Sequence, residues 1–190
     1  MKLIKTQILN QNLDFFKDEL KRFPYLKSVS EHYRLLVYLT KQFDKISIID
    51  AGTSFGHSGL ALAQNHNNTV FTYDIYERSG LPCFKGYDNI KCKCMDINLE
   101  DSSFLKSIPI ILLDIDPHDG IQEKRFTDRL LEIDYRGYLI CDDINLNDKM
   151  KRWWNSIDIE KYDVSEVGHF SGTGIINFHR NRDFSIIESE

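Results

Sequence analysis

The chain has 190 residues and a mass of 22.3 kDa, with 42% hydrophobic and 28% charged residues, the size and make-up of one globular domain. Its 24 Lys and Arg against 29 Asp and Glu leave a net charge of −5, which argues against a duplex nucleic-acid binder working by phosphate neutralisation. Low Gly and Pro content speaks against a linker-rich chain, and no apolar run approaches the roughly 20 residues that span a bilayer, so no membrane partner is expected. Residues 1–7 (MKLIKTQ) lack the apolar stretch of a signal peptide. The four cysteines, Cys83, Cys92, Cys94 and Cys141, show no zinc spacing. A cytoplasmic protein is the expectation.

Residues 11–23 and 30–43 read as helices; Ser30 is placed as the N-cap of the second, and Leu35, Leu36 and Leu39 form its apolar stripe. The period then changes. Residues 45–51 (KISIIDA) form a β-branched strand, 57–64 a helix, and 69–75 (TVFTYDI) a second strand. A third strand, 90–95 (IKCKCM), places Cys92 and Cys94 on one face as small buried residues. Residues 109–115 (PIILLDI) are almost wholly apolar, as a central parallel strand should be. Helix 121–133, strand 138–141 and helix 148–157 follow. Strands at 162–167 and 174–178 are joined by only six residues, too few for a crossover helix, and must therefore be antiparallel. The expected fold class is α/β: a Rossmann-like, doubly wound, mostly parallel sheet with an antiparallel C-terminal hairpin and a short N-terminal helical cap. One domain is expected, with residues 1–44 as the cap and 45–180 as the core.

Ligands of open α/β sheets bind beyond the carboxyl ends of the strands. Five consecutive strands end in or just before acid: Asp50, Asp74, Asp96, Asp114 with Asp116, and Asp142 with Asp143. Any one of these is equally well explained as a helix cap. The set is not, because two carboxylates at ~4 Å cost about 4 kcal/mol at an effective dielectric of ~20. Such a rim wants hydroxyls, amines or a cation. The first crossover, DAGTSFGHSG at 50–59, has the spacing G-x₃-G-x₂-G, which is neither the dinucleotide fingerprint nor a P-loop. Gly52 permits a tight turn beside a ligand, and residues 56–59 open a helix whose free N–H groups favour an anion. Asp74, 22 residues beyond Gly52, suits a ribose diol.

At these residues the chain resembles the class I S-adenosylmethionine-dependent methyltransferases, above all in DAGTSFGHSGL at 50–60. The resemblance implies a cofactor site made by Asp50, Gly52, Ser54, Gly56, Ser58, Asp74, Asp96 and Asp114. Within it, Gly52 would lie against S-adenosylmethionine, Ser58 would bind its methionine carboxylate, Asp74 its ribose and Asp96 its adenine amine. It further implies a metal-dependent O-methyltransferase. Asp114, Asp142 and Asp143 fall on that branch's metal-ligand positions, and three carboxylates suit Mg²⁺ or another divalent cation. Pro117 stands where catechol-type enzymes carry a lysine base. The D-x-D and D-D pattern is closer to the macrocin-type sugar O-methyltransferases, which would make Asp116 the general base, with His118 the other candidate. The expected acceptor is a hydroxyl of a small molecule or sugar. An iron-dependent hydroxylase-like relative and a non-catalytic cofactor-binding module are the alternatives.

Several residues stay open on sequence alone. His57 reads as a cap of the cofactor helix rather than a catalyst. Trp153 and Trp154 diverge by about 100° on a helix, so core or subunit interface is favoured over a shared pocket. The basic stretch 149–152 reads as a solvated helix face, and loop 78–89 as a cover for cofactor or substrate. About 44 residues precede the first strand, which leaves the substrate side thinly covered. A homo-oligomer whose neighbouring subunit completes it is the geometric expectation.

Overall fold

The computed structural model describes residues 1–179 and 184–189. The chain begins with β1 (Lys2–Ile4), α1 (Lys5–Leu9), α2 (Lys17–Arg22) and α3 (Ser30–Lys41). The core follows as β2 (Ser47–Ala51), α4 (His57–Leu62), β3 (Thr69–Asp74), β4 (Ile90–Cys94), α5 (Ser102–Ser107), β5 (Ile110–Leu113), α6 (Ile121–Glu132), β6 (Tyr138–Asp142) and α7 (Asp148–Ser156). It closes with β7 (Lys161–Asp163), β8 (Thr173–Asn177) and β9 (Ser185–Ile187). None of these helices is long and apolar enough to cross a membrane.

Seven strands form one sheet in the order β4-β3-β2-β5-β6-β8-β7. The first five are parallel, and β8 runs antiparallel to both β6 and β7, so the expected C-terminal hairpin forms. The strand expected over 162–167 is shorter, since β7 ends at Asp163 and a 3₁₀ turn, Ser165–Val167, takes its second half. The core strands read as unbroken apolar runs because helices cover both faces. Alternation sends Ile48, Ile110, Leu112, Ile140 and Ile175 to one core, which also holds Leu35, Leu36 and Leu39 of α3. Ile49, Ile111, Leu113, Leu139 and Ile176 go to the other, with Phe126 and Leu130 of α6 and both Trp153 and Trp154 of α7. The tryptophans are therefore core residues, Trp154 lying against Gly174, where a Cβ would stand 2.4 Å from its ring. Each aliphatic side chain buried in this way contributes on the order of 1.5–3 kcal/mol.

The N-terminal cap departs from expectation. The helix expected over 11–23 is broken into a 3₁₀ turn, Asp14–Phe16, and α2. Pro24 explains where α2 stops: the residue before it, Phe23, is pushed out of the helical region (φ −127°, ψ 81°), and a second 3₁₀ turn, Pro24–Val29, follows. That turn runs directly into α3, so Ser30 is helical rather than the N-cap, and its hydroxyl bonds Glu31 instead. β1 pairs in parallel with β9, joining the two ends of the chain outside the main sheet. Cys92 and Cys94 also correct the reading, being half-buried and exposed, because β4 is the edge strand.

Candidate active site

The parallel sheet reverses its winding between β2 and β5, and a crevice opens there beyond the strand ends. Gly52 makes the seam. It has φ +109°, and a Cβ on it would lie 1.6 Å from the Asp114 carbonyl oxygen, so no other residue lets the two strand ends meet. The Asp114 N–H donates to Ala51 O at 2.9 Å across the same seam. The cleft above has a volume of about 710 Å³, within the roughly 300–1,000 Å³ of small-molecule sites. Ser54, His118 and Asp143, all non-glycine residues with left-handed backbone (φ 45°, 52° and 60°), stand in its wall. Such conformations cost about 1 kcal/mol or more each and collect at ligand sites.

On the β2–β4 side the carboxylates are held by N–H groups. Asp74 accepts from the backbone of Ser54 (3.0 Å) and Tyr76 (2.9 Å) and from Arg78 Nε (3.0 Å). Asp96 caps the 3₁₀ turn Ile97–Leu99 through the Asn98 N–H at 2.8 Å, while its other oxygen faces Arg125 Nη1 at 3.9 Å. Gly52, Ser54, Ser58, Asp74, Asp96 and Asp114 all line the cleft. Asp50 and Gly56 do not: Gly56 packs beneath Phe84, and Asp50 is fully buried below the floor. Burial pushes the Asp50 carboxyl up to about 6, against the hydroxyls of Thr72 (2.6 Å) and Ser58. His57 is the first residue of α4 and no cap; its Nε2 pairs with Glu19 at 3.2 Å.

The β5–β6 side is built from facing acids and imidazoles. Burial, then Asp142, Asp143, Asp50 and Asp116 in turn, raise Asp114 well above the usual carboxylate range. Burial pushes Asp143 up as well. Bonds with His169 and Ser171, and the nearby His118, outweigh it and hold this carboxyl low. Burial opposes protonation of His169, but Asp143 and Asp142 raise it, so the two form an ion pair. Asp142 turns toward His32 Nδ1 (3.6 Å) and the Thr173 hydroxyl (3.4 Å). Burial lowers His32, with Asp142 opposing. Asp116 points outward, its side chain 96% exposed.

Among the described residues, two sets of three ligand atoms lie within 4.8 Å of one another inside each set: Asp114, His118 and Asp143, and Asp142, Asp143 and His169. The three acids expected together are thus divided between two neighbouring groups that share Asp143. Sequence reasoning missed His32, His169, Ser171, Tyr25 and Tyr33. His169 and Ser171 lie in the Gly-rich stretch 168–174, a turn signal that marks the place but not the role. His32 and Tyr33 sit on an amphipathic helix, where nothing separates a site residue from a core one.

No family model matches the chain, and no curated protein matches it. Solved structures do. A protein assigned as a caffeoyl-CoA O-methyltransferase from Staphylococcus aureus is 16% identical, with 91% of this chain and 98% of that one covered at a TM-score of 0.61. An O-methyltransferase from Bacillus cereus, solved with S-adenosylhomocysteine, is 15% identical over 90% and 94% of the two chains, with a TM-score of 0.57. TomG, an O-methyltransferase of tomaymycin synthesis from Streptomyces achromogenes solved with S-adenosylmethionine, is 16% identical over 77% and 79%, with a TM-score of 0.55. At these identities the likeness is one of fold: the Rossmann-like methyltransferase fold.

Proposed function

From the premise of a methyltransferase fold, we propose that this chain transfers the methyl group of S-adenosylmethionine to a hydroxyl of a small molecule or sugar, with a divalent cation beside the acceptor. The observation that supports this best is the division of the cleft at the Gly52 seam. One side offers carboxylates already oriented by N–H donors, and the other offers carboxylates that face one another. The first suits the hydroxyls and amine of a nucleoside, the second a cation.

In this reading Asp74 keeps lone pairs for the ribose diol, since each carboxylate oxygen accepts more than one bond. Asp96 faces the adenine amine, and Ser58 the methionine carboxylate. Asp114, Asp142 and Asp143 are the acids that would hold the cation, and a hard divalent ion fits their oxygens. Bound there, it would supply Lewis acidity that favours the ionised acceptor hydroxyl. Asp116, at the mouth, takes the hydroxyl proton, with His118 Nε2 3.6 Å from its carboxylate. The acceptor oxygen then bonds to the methyl carbon as the carbon–sulfur bond breaks in line, leaving S-adenosylhomocysteine. Tyr25, His32 and Tyr33 of the N-terminal cap wall the acceptor side, and positioning supplies much of the rate.

Calorimetry with S-adenosylmethionine, S-adenosylhomocysteine and NAD tests the reading. Both methionine nucleosides should bind and NAD should not; the reverse result ends the proposal. Chelation should stop methyl transfer to an accepted hydroxyl substrate while leaving S-adenosylhomocysteine bound. Full-rate transfer in chelator would remove the cation from the mechanism.

A further inference from the structure

His118 lines the cleft, and Glu123 lies buried behind it, where the methyl-transfer reading gives it no role. The His118 carbonyl is held by Asn147 Nδ2 at 2.9 Å, the same side chain that caps α7. Its Nε2 lies 3.8 Å from Asp114 Oδ1, 3.6 Å from Asp116 Oδ1 and 3.7 Å from Asp143 Oδ2. An imidazolium drawn to one acid would close to ~2.8 Å. Nε2 instead stands at near-equal distance from Asp114 and Asp143, and the ligand atoms of these three residues all lie within 4.8 Å of one another. Ligands ~2.1 Å from one octahedral ion stand ~3–4 Å apart, and the imidazole nitrogen stands 3.8 and 3.7 Å from the two acids.

Behind the ring, His118 Nδ1 faces Glu123 Oε1 at 4.0 Å. Glu123 is 2% exposed, and neither of its oxygens makes a hydrogen bond of normal geometry among the described residues. As the third residue of α6 it also lies near the Gly120 N–H, so a capping-box role is the structural alternative. Capping alone does not require a carboxylate enclosed behind an imidazole whose other nitrogen faces three acids. A carboxylate in that position fixes the tautomer of a ligating histidine.

We infer that His118 ligates the cation through Nε2 together with Asp114 and Asp143, that Glu123 orients the ring from behind, and that the site therefore takes a transition-metal ion such as Mn²⁺ in preference to Mg²⁺. Imidazole favours the later divalent metals over Mg²⁺. This rests on the cation reading above, makes His118 a ligand and leaves Asp116 as the base.

The test is Mn²⁺ titrated into the metal-stripped chain, followed by calorimetry and electron spin-echo spectroscopy. The bound ion should show coupling to a directly bonded imidazole nitrogen, altered by [¹⁵N]histidine labelling of the unsubstituted chain. His118→Asn, a residue that tolerates left-handed backbone, should abolish the coupling and narrow the preference for Mn²⁺ over Mg²⁺. Glu123→Gln keeps a capping side chain; it should keep the coupling and weaken Mn²⁺ by about 10–100-fold. Thermal unfolding without metal checks that both variants fold. Mn²⁺ bound without nitrogen coupling, or coupling that survives His118→Asn and so comes from His169, overturns the ligand assignment and leaves the cation reading standing. Unchanged Mn²⁺ affinity in Glu123→Gln overturns the positioning role. If neither Mn²⁺ nor Mg²⁺ binds, the cation reading itself falls and this inference falls with it.

Discussion

The two sides of the cleft use the same residue type at the same place, an aspartate at a strand end, and solve its electrostatics differently. Asp74 and Asp96 are each held by N–H donors, Asp74 by Ser54 of the first crossover and by Tyr76 of its own loop, Asp96 by Asn98. Asp114, Asp142 and Asp143 receive no backbone N–H among the described residues; they meet hydroxyls, imidazoles and one another. The first arrangement is complete without a ligand's charge. The second leaves Asp114 held above its ordinary range, a cost that a cation removes. A row of acids along a sheet thus contains two sites, told apart by what neutralises each carboxylate.

The largest effect should come from the acid side. Asp116→Asn should lower methyl transfer about 10²–10⁴-fold, the usual weight of a general base, with cation and S-adenosylhomocysteine affinities unchanged by calorimetry. A loss of cation binding instead would move Asp116 into the ligand set. Next is the seam. Gly52→Ala places a Cβ 1.6 Å from Asp114 O at φ +109°, so urea unfolding should show a loss above ~3 kcal/mol, and cofactor and cation binding should fail together. A variant that loses only one of the two would show the sides to be independent.

Asp50→Asn probes the floor under the cofactor side. Its carboxyl, raised from an ordinary 3.8 to about 6 in the folded chain, binds its proton more tightly when folded. The stability it contributes is therefore full below pH ~3.8 and is lost as pH rises to about 6. The wild-type chain should lose on the order of 3 kcal/mol from this group across that window. Asp50→Asn should lack that component, so its advantage over wild type in urea unfolding should grow from pH 4.5 to pH 7.5. A constant difference would mean that Asp50 stays charged throughout. The smallest effect belongs to Asp74→Ala, which should weaken S-adenosylhomocysteine by roughly 1.5–3 kcal/mol, the scale of a hydrogen bond to a charged group, and leave the cation response intact. Unchanged affinity would take Asp74 off the ribose.

The core of the fold was legible because its signals are local. A β-branched run, a turn with Gly52 and an acid at the strand end recur within short spans, and parallel pairing follows from the helices between them. The short stretch expected between the last two strands required an antiparallel end, and β7 and β8 provide it, joined through residues 164–172. Pairing of β1 with β9 was not legible: three residues at each end of the chain hold no periodic signal, and their register is set by long-range packing. The stop before Pro24 was legible, being a local rule; the 3₁₀ turns Asp14–Phe16 and Pro24–Val29 were not, because short turns of this kind carry no periodic signal.

By itself the sequence determined the α/β class, the seam at Gly52 and the row of acids, because strand period, turn chemistry and residue type are written along the chain. Tertiary structure alone decided which acids share a partner. Asp142 meets His32 from a helix 110 residues earlier, Asp143 meets His169 from the final hairpin, and Asp50 lies under the floor instead of on it. Those outcomes depend on how helices and loops far apart in sequence close over the strand ends. The charge state of a carboxylate is set by that surrounding, by burial and by the donors within a few ångströms, and not by its place in a motif.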